Sequence, residues 1–277
     1  MYKKFYGSSS WPKTIINIQG KFTNSQYLKH SFIFAIMITT LCLDFGNTRK
    51  KAALFHQDEL KEVWVLDDAV SSIEALVSKH QPQKSILSSV VAHDPGIEKL
   101  LAANSSFHLL NYQSKLAFTT PVGKPETIGA DRLALCAAAV HYYPTKHNLI
   151  IGLGTCITFN FINKYHEFLG GSISPGLLMR LKALNYYTSK LPLVQTASDV
   201  PLIGYDTTTN ITSGVVLGMA KEIDGIIKSY RERFRNFNVL LTGGDIVYLA
   251  PHLKSKIFAD PDLLFKGLYA ISHVNNP

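Results

Sequence analysis

The sequence predicts an α/β protein of two similar halves, each a mixed sheet covered by helices. Three observations predict it. Residues 38–91 read strand, strand, strand, helix, strand, and a short helix follows. From His147, "HNLIIGLGTCITFNFINKYHEFLGGSISPG" repeats the opening plan of buried strand, glycine turn, strand, turn, strand. Strands in tight hairpins mixed with strands reached through helices require a mixed sheet with helical cover. At 277 residues, 46% of them hydrophobic and 17% charged, the chain can bury the cores of two ordinary domains.

The elements follow in order. In "LCLDFGNTRKKAALF" a core strand over residues 38–43 ends at Asp44, Gly46 and Asn47 make a tight turn, and a second apolar run begins. "DELKEVWVLDD" is a further strand ended by acids. "DDAVSSIEALVSKHQP" is a helix: Asp67 or Asp68 can cap it, Val70, Ile73, Leu76 and Val77 recur at helical spacing, and Pro82 lies beyond its end. Residues 84–91 form a buried strand and "GIEKLLAAN" a short helix. The Pro/Gly stretch "TTPVGKPETIGADR" precedes the apolar helix "RLALCAAAVHYY", with Asp131 where a cap belongs. A boundary near residues 145–148 opens the second half. There, a long helix over about residues 212–234 carries Val215, Val216, Met219, Ile223, Ile226, Ile227, Tyr230 and Phe234 on one broad face, and "FNVLLTGGD" is a strand running into a glycine turn.

Composition excludes several function classes. The formal charge of +8 suggests nucleic acid at first, but Lys3, Lys4, Lys13, Lys21 and Lys29 account for five of those charges within residues 1–36, which hold no acid. The remaining excess is a solvated surface rather than a footprint for a duplex. Residues 1–36 lack periodicity and are read as an extension outside the fold, with Met37 directly before the first strand. The run "SFIFAIMITTLCL" is thirteen residues long. A membrane span needs ~20. The run also begins at Ser31 and meets the first turn without a cleavage site, so it is no signal peptide. Three cysteines, Cys42, Cys136 and Cys156, form no C-x-x-C pair and fit a reducing, cytoplasmic compartment. His141, His147 and His166 show no metal-ligand spacing.

Three glycine turns follow strands: "DFGNT", "GLGTCIT" and "LTGGD". Such turns let consecutive amides point into one concavity and hold phosphate oxygens. Each alone is as readily an ordinary hairpin. Neither G-x-x-x-x-G-K-[ST] nor a strand-to-helix G-x-G-x-x-G occurs, so the P-loop and dinucleotide routes to a nucleotide lack support. A duplicated plan with a phosphate turn in each half resembles the acetate kinase, sugar kinase and actin superfamily. That resemblance implies two ribonuclease H-like domains, each a mixed five-stranded sheet covered by helices, over residues 37–146 and 147–277.

Within the superfamily, "DFGNT", "PETIGADR", "GTCIT", "GGSISPGL", "TSKLP", "IGYDTTTNITSG" and "LTGGD" occur in the order of type III pantothenate kinases. The similarity runs from residue 37 to about 273. It implies a dimeric, cytoplasmic enzyme that makes 4′-phosphopantothenate from pantothenate and ATP, the first step toward coenzyme A, with no nucleic acid or membrane partner. Phosphoryl transfer asks a protein to position two partners and to offset charge. By resemblance, Asp44 holds Mg²⁺, and Phe45, Gly46, Asn47, Thr48, Arg49, Lys50, Lys51 and Thr155 surround the ATP phosphates. Asp131 is the base for the pantothenate hydroxyl. Gly129, Ala130, Arg132 and Thr207 hold substrate, and Gly243 and Gly244 pass close to adenosine.

The match departs from the family twice. Family members usually carry an aspartate at the position of Gly152, beside an activating K⁺ or NH₄⁺; without it the cation site is rebuilt, for example from Asn160, or lost. A tyrosine usual before Pro125-Glu126-Thr127 is also missing. These departures leave open a nucleotide-binding regulatory homologue that has lost catalysis, although the intact Asp44, Asp131 and Arg132 argue against it. A sugar or acylating kinase is disfavoured by the G-x-D-R element at Gly129 to Arg132.

Overall fold

The computed structural model describes residues 38–67 and 70–276. The extension over residues 1–36, Met37 and the capping candidate Asp68 lie outside the described residues. The first half runs β1 (Thr39–Phe45), β2 (Lys50–His56), β3 (Glu59–Leu66), α1 (Val70–His80), β4 (Lys84–Ser89), α2 (Pro95–Asn104) and β5 (Ser106–Leu109). Helix α3 (Ala130–Tyr142) leads into β6 (His147–Leu153), β7 (Cys156–Ile162), β8 (Phe168–Pro175), α4 (Leu177–Tyr186), α5 (Thr207–Arg233), β9 (Phe237–Thr242), α6 (Ile246–Leu249), β10 (Phe258–Ala259) and α7 (Leu263–Asn275).

The two sheets share one topology. Their orders are β3-β2-β1-β4-β5 and β8-β7-β6-β9-β10, with antiparallel hairpins on one side and parallel pairs on the other. The duplicated mixed five-stranded sheet expected from the sequence is therefore present. Alternation along the central strands sorts the core into layers. Leu41 and Leu43 of β1 pack outward with Ile73 and Val77 of α1 and with Ile97 and Leu101 of α2. Cys42 faces inward and joins one cluster with α3, α7, Ile150 and Leu240. Leu149 and Ile151 pack on the far side against α4 and α5. Helices α3 and α7 thus lie between the two sheets and fix the lobes against each other. Close approach of these helices requires Gly267: a Cβ there would sit 1.8 Å from Ala134 O.

Several boundaries differ from the sequence reading. β1 continues through Asp44 to Phe45, because ladder pairing to Lys51 and Ser88 extends the strand past its apolar run. α5 begins at Thr207 rather than near residue 212. Its cap is Asp206, which accepts the Thr209 N–H at 2.7 Å while the Thr209 hydroxyl takes the Asp206 N–H, a reciprocal box written by polar residues with no apolar period. Elements β5, α4, β10 and α7 went unread. Among the described residues, no helix is long and apolar enough to cross a membrane.

Candidate active site

Asp44 and Asp131 form the centre of the site. Asp44 is the penultimate residue of β1, on the inward face, half-buried, and accepts a hydrogen bond from the buried Ser88 hydroxyl at 3.2 Å. Burial, and then the charge of Asp131, push its carboxyl up to about 7, against the pull of Ser88 and Lys51. Asp131 also stands above the usual carboxylate range, chiefly through burial, while the Arg132 N–H and guanidinium pull it down. The expected capping role of Asp131 is corrected here. The N-cap of α3 is Gly129, and Asp131 lies inside the first turn, with its Oδ1 2.5 Å from where a Cβ on Gly129 would stand. The two half-buried carboxylates, one at a strand end and one at a helix N-terminus, are near enough for the charge of Asp131 to raise Asp44, and Asp44 is a hard oxygen donor suited to a divalent cation.

The first two glycine turns meet across the cleft. Gly46 N donates to Arg49 O, three residues on, at 3.1 Å, and Gly154 N to Cys156 O, two residues on, at 3.1 Å, so each turn closes on itself, the second more tightly. The Thr48 and Thr155 hydroxyl oxygens are 2.7 Å apart although 107 residues separate them. Of the other predicted phosphate ligands, Asn47, Thr48 and Arg49 are exposed at the hairpin tip. Phe45 is buried, and Lys50 lies over its ring at 5.3 Å. Lys51 pairs in register with Asp44.

The second lobe places the remaining candidates. Gly152 is the penultimate residue of β6, the place Asp44 holds in β1; its ladder partners are Thr158 and Thr242 where Asp44 has Lys51 and Ser88. A Cβ on Gly152 would meet Thr158 Oγ1 at 2.7 Å. Asn160 is not placed to replace the missing carboxylate. Its Oδ1 accepts Arg132 Nε at 2.6 Å, and its amide donates to Ile150 O and Thr158 Oγ1. Arg132 lies over the Phe168 ring at 5.4 Å, which fixes the guanidinium plane. Ala130 is buried and Gly129 half-buried, so they shape the start of α3. Gly243 presses on the end of β6, with φ +108° and a hypothetical Cβ 2.1 Å from Leu153 O; Gly244 is exposed. Thr207 is exposed at the first position of α5. That helix ends just before β9, whose first residue pairs with the first of β6, so Thr207 stands at the turn-bearing end of the second sheet.

A cavity of about 430 Å³ lined by Phe161, Leu169, Ser229, Tyr230, Arg233 and Phe234 lies at the C-terminus of α5, the opposite end of that sheet. Among the described residues, no group of three or more His, Cys, Asp or Glu is placed to hold a metal. The sequence reading missed Ser88, Thr158 and Asp245. Ser88 and Thr158 could have been found only from strand register, and Asp245 stood beside the third glycine turn.

A family model described as type III pantothenate kinase matches residues 40–229. A type III pantothenate kinase of Christiangramia forsetii is 41% identical over 238 residues, covering 85% of this chain and 98% of the relative. One from Bacteroides fragilis is 39% identical over 241 residues, with the same two shares. Among solved structures, a Baf family protein from Campylobacter jejuni described as a transcriptional activator matches with TM-score 0.54 and 24% identity, covering 83% of this chain and 96% of that one, a likeness of fold alone. The agreement of family, relatives and site means that this chain belongs to the type III pantothenate kinase family.

Proposed function

We propose that the protein transfers the γ-phosphoryl group of ATP to the primary hydroxyl of pantothenate. The observation that carries this reading is the Thr48–Thr155 hydroxyl contact at 2.7 Å, which joins the glycine turns of the two lobes, with Asp44 near enough to Asp131 to feel its charge. In this reading Asp131 accepts the pantothenate hydroxyl proton, and its raised pKa makes it a stronger base than an exposed carboxylate. The Thr48 and Thr155 hydroxyls, 2.7 Å apart, both donate to phosphate oxygens. Lys51 and Arg49 offset phosphate charge, and Arg132 holds substrate through the guanidinium edge not used by Asn160. Asp44 would hold Mg²⁺, which would supply charge neutralisation at the phosphates. Gly243 and Gly244 let the backbone pass close to adenosine. A regulatory homologue without catalysis is not favoured, because the paired carboxylates and the phosphate turns are intact. ADP release measured with and without pantothenate tests the reading; nucleotide turnover indifferent to pantothenate would reject it.

The same reading makes residues 37–146 and 147–277 the two domains and places the reaction in the cytoplasm, where its substrates occur. A chain beginning at Met37 should stay folded and active; loss of soluble protein on that truncation would assign residues 1–36 to the fold. We also read the enzyme as a homodimer. Support comes from large apolar residues left in solvent around α4 and the approach to α5: Tyr186, Tyr187, Leu202, Ile203 and Tyr205 are each at least 80% exposed.

Gly152 bears on the monovalent cation. A neutral strand position supplies less field than a carboxylate, and Asn160 has its oxygen occupied by Arg132. Activity should therefore be nearly independent of K⁺ when titrated against Na⁺ at fixed ionic strength. Gly152→Asp alone would crowd Thr158 Oγ1. The informative variant combines it with Thr158→Ala and should gain a K⁺ response. Strong saturable K⁺ activation of the natural protein would overturn this reading of Gly152.

A further inference from the structure

We propose that His93 is a positioning residue for phosphoryl transfer: by bridging Ser89 and Glu98 it fixes the corner between β4 and α2 against which both Asp44 and the start of α3 are set. This inference rests on the kinase reading above and deepens it. The first support is the bridge itself. Ser89, the last residue of β4, donates its hydroxyl hydrogen to Val91 O at 2.8 Å and closes a tight turn. His93 Nδ1 lies 3.1 Å from the same Oγ, and with that hydrogen already placed, Nδ1 is the donor. On the other side, His93 Nε2 lies 2.9 Å from Glu98 Oε1. Both ring nitrogens thus face acceptors, and a ring that donates from each joins the strand end to the helix. A serine, an imidazole and a carboxylate in a row resemble a hydrolase triad, but the direction of the serine hydrogen rules out that use. Ser89 Oγ accepts from the ring instead of giving its proton to it.

The second support is the anchoring at either end. Glu98 stands in the first turn of α2, whose Ile97 and Leu101 are buried against the first sheet and whose N-cap, Asp94, accepts the Gly96 N–H at 2.7 Å. The helix that carries the carboxylate is therefore a fixed post. The imidazole, only 11% exposed, meets the Phe45 ring edge-on with centroids 5.5 Å apart, and Phe45 is wholly buried. Val90 N donates to Phe45 O at 3.0 Å, so backbone and ring hold the end of β1 to the same corner.

The third support is what the corner touches. Ser88, one residue before Ser89, donates to Asp44 Oδ1 at 3.2 Å. Val90, one residue after it, places Cγ1 3.8 Å from where a Cβ on Gly129 would stand, and Asp131 Oδ1 is 2.5 Å from that point. Three consecutive residues thus touch Asp44, the bridge and the start of the helix that bears Asp131. Transfer needs the metal ligand and the base at one separation, and misplacement by about 1 Å costs ~10²-fold in rate. An irregular loop does not hold such a separation by itself, and the imidazole bridge supplies the constraint.

Glu98→Ala removes one end of the bridge at a partly exposed position and keeps the imidazole. With saturating magnesium ATP and pantothenate, the single-turnover rate of the full chain should fall about 5- to 20-fold, while the Kd for magnesium AMP-PNP stays within about 2-fold and the thermal midpoint within about 3 °C. Glu98→Gln keeps an oxygen for Nε2 and should recover most of the loss. His93→Ala should lose at least as much, and the double variant should add nothing to it. Amide hydrogen exchange reads the same role without catalysis. In Glu98→Ala the Val90, Arg132 and Leu133 N–H groups, bonded to Phe45 O and Gly129 O, should exchange about 10-fold faster. A bridge that serves only the local fold would quicken Val90 and leave Arg132 and Leu133 as they were. Natural turnover in Glu98→Ala, or faster exchange confined to residues 90–98, would overturn the proposal. Should Glu98→Ala fail to fold, His93→Asn decides by the same readouts, since its amide nitrogen keeps the bond to Ser89 and loses that to Glu98. A natural protein without pantothenate-dependent turnover sinks the functional reading, whereas exchange at Arg132 and Leu133 still decides the positioning role.

Discussion

Asp131→Asn should lower turnover by ~10²- to 10⁴-fold, the usual cost of losing a positioned general base. The substitution keeps size and leaves the fold of α3 intact, because the N-cap of that helix is Gly129 rather than Asp131. It also removes the neighbouring charge that helps push Asp44 upward, so nucleotide binding should be preserved or improved. Single-turnover kinetics separate these effects: the chemical step should slow while the concentration dependence on ATP changes little. Near-natural turnover under conditions where chemistry limits the rate would show that Asp131 is not the base.

Asp44→Asn should do two opposite things. Magnesium-dependent turnover should fall by orders of magnitude, since the carboxylate that would hold the metal is gone. The unliganded protein, however, should become more stable above neutral pH. Asp44 ionises near 3.8 in an unfolded chain and at about 7 in the folded one. Below the unfolded value both states are protonated and the group costs nothing. Between the two values folding takes up a proton, and above about 7 the folded state holds a buried charge at full cost. At ~1.36 kcal/mol per pKa unit that cost has an upper bound of about 4 kcal/mol. The variant should therefore melt several degrees higher than the natural protein at pH 8, by roughly 2–4 °C per kcal/mol, with the advantage fading toward pH 4. A stability difference that does not grow with pH would mean that the Asp44 carboxylate is not held against burial and Asp131.

The sequence by itself determined the strand-turn-strand plan of each half, the three glycine turns, and the positions of Asp44 and Asp131. These are short-range signals: alternation or apolar runs within a strand, turn residues within a few positions, an ordered set of motifs. Helices α4 and α7 escaped notice because their apolar residues face neighbours that only the packed lobes supply. β5 and β10 are short and gain stability from ladder partners far away in the chain. The start of α5 was hidden because its signal is a polar capping box rather than a period. Only the tertiary structure decided that Thr48 and Thr155 meet, that Ser88 lies beside Asp44, and that Gly152 occupies the place of Asp44 in the second lobe. Each of those relations joins residues distant in sequence, and its chemistry depends on burial and on the distance between charges. Both quantities are properties of packed surfaces, and they exist only once the two sheets have closed on α3 and α7.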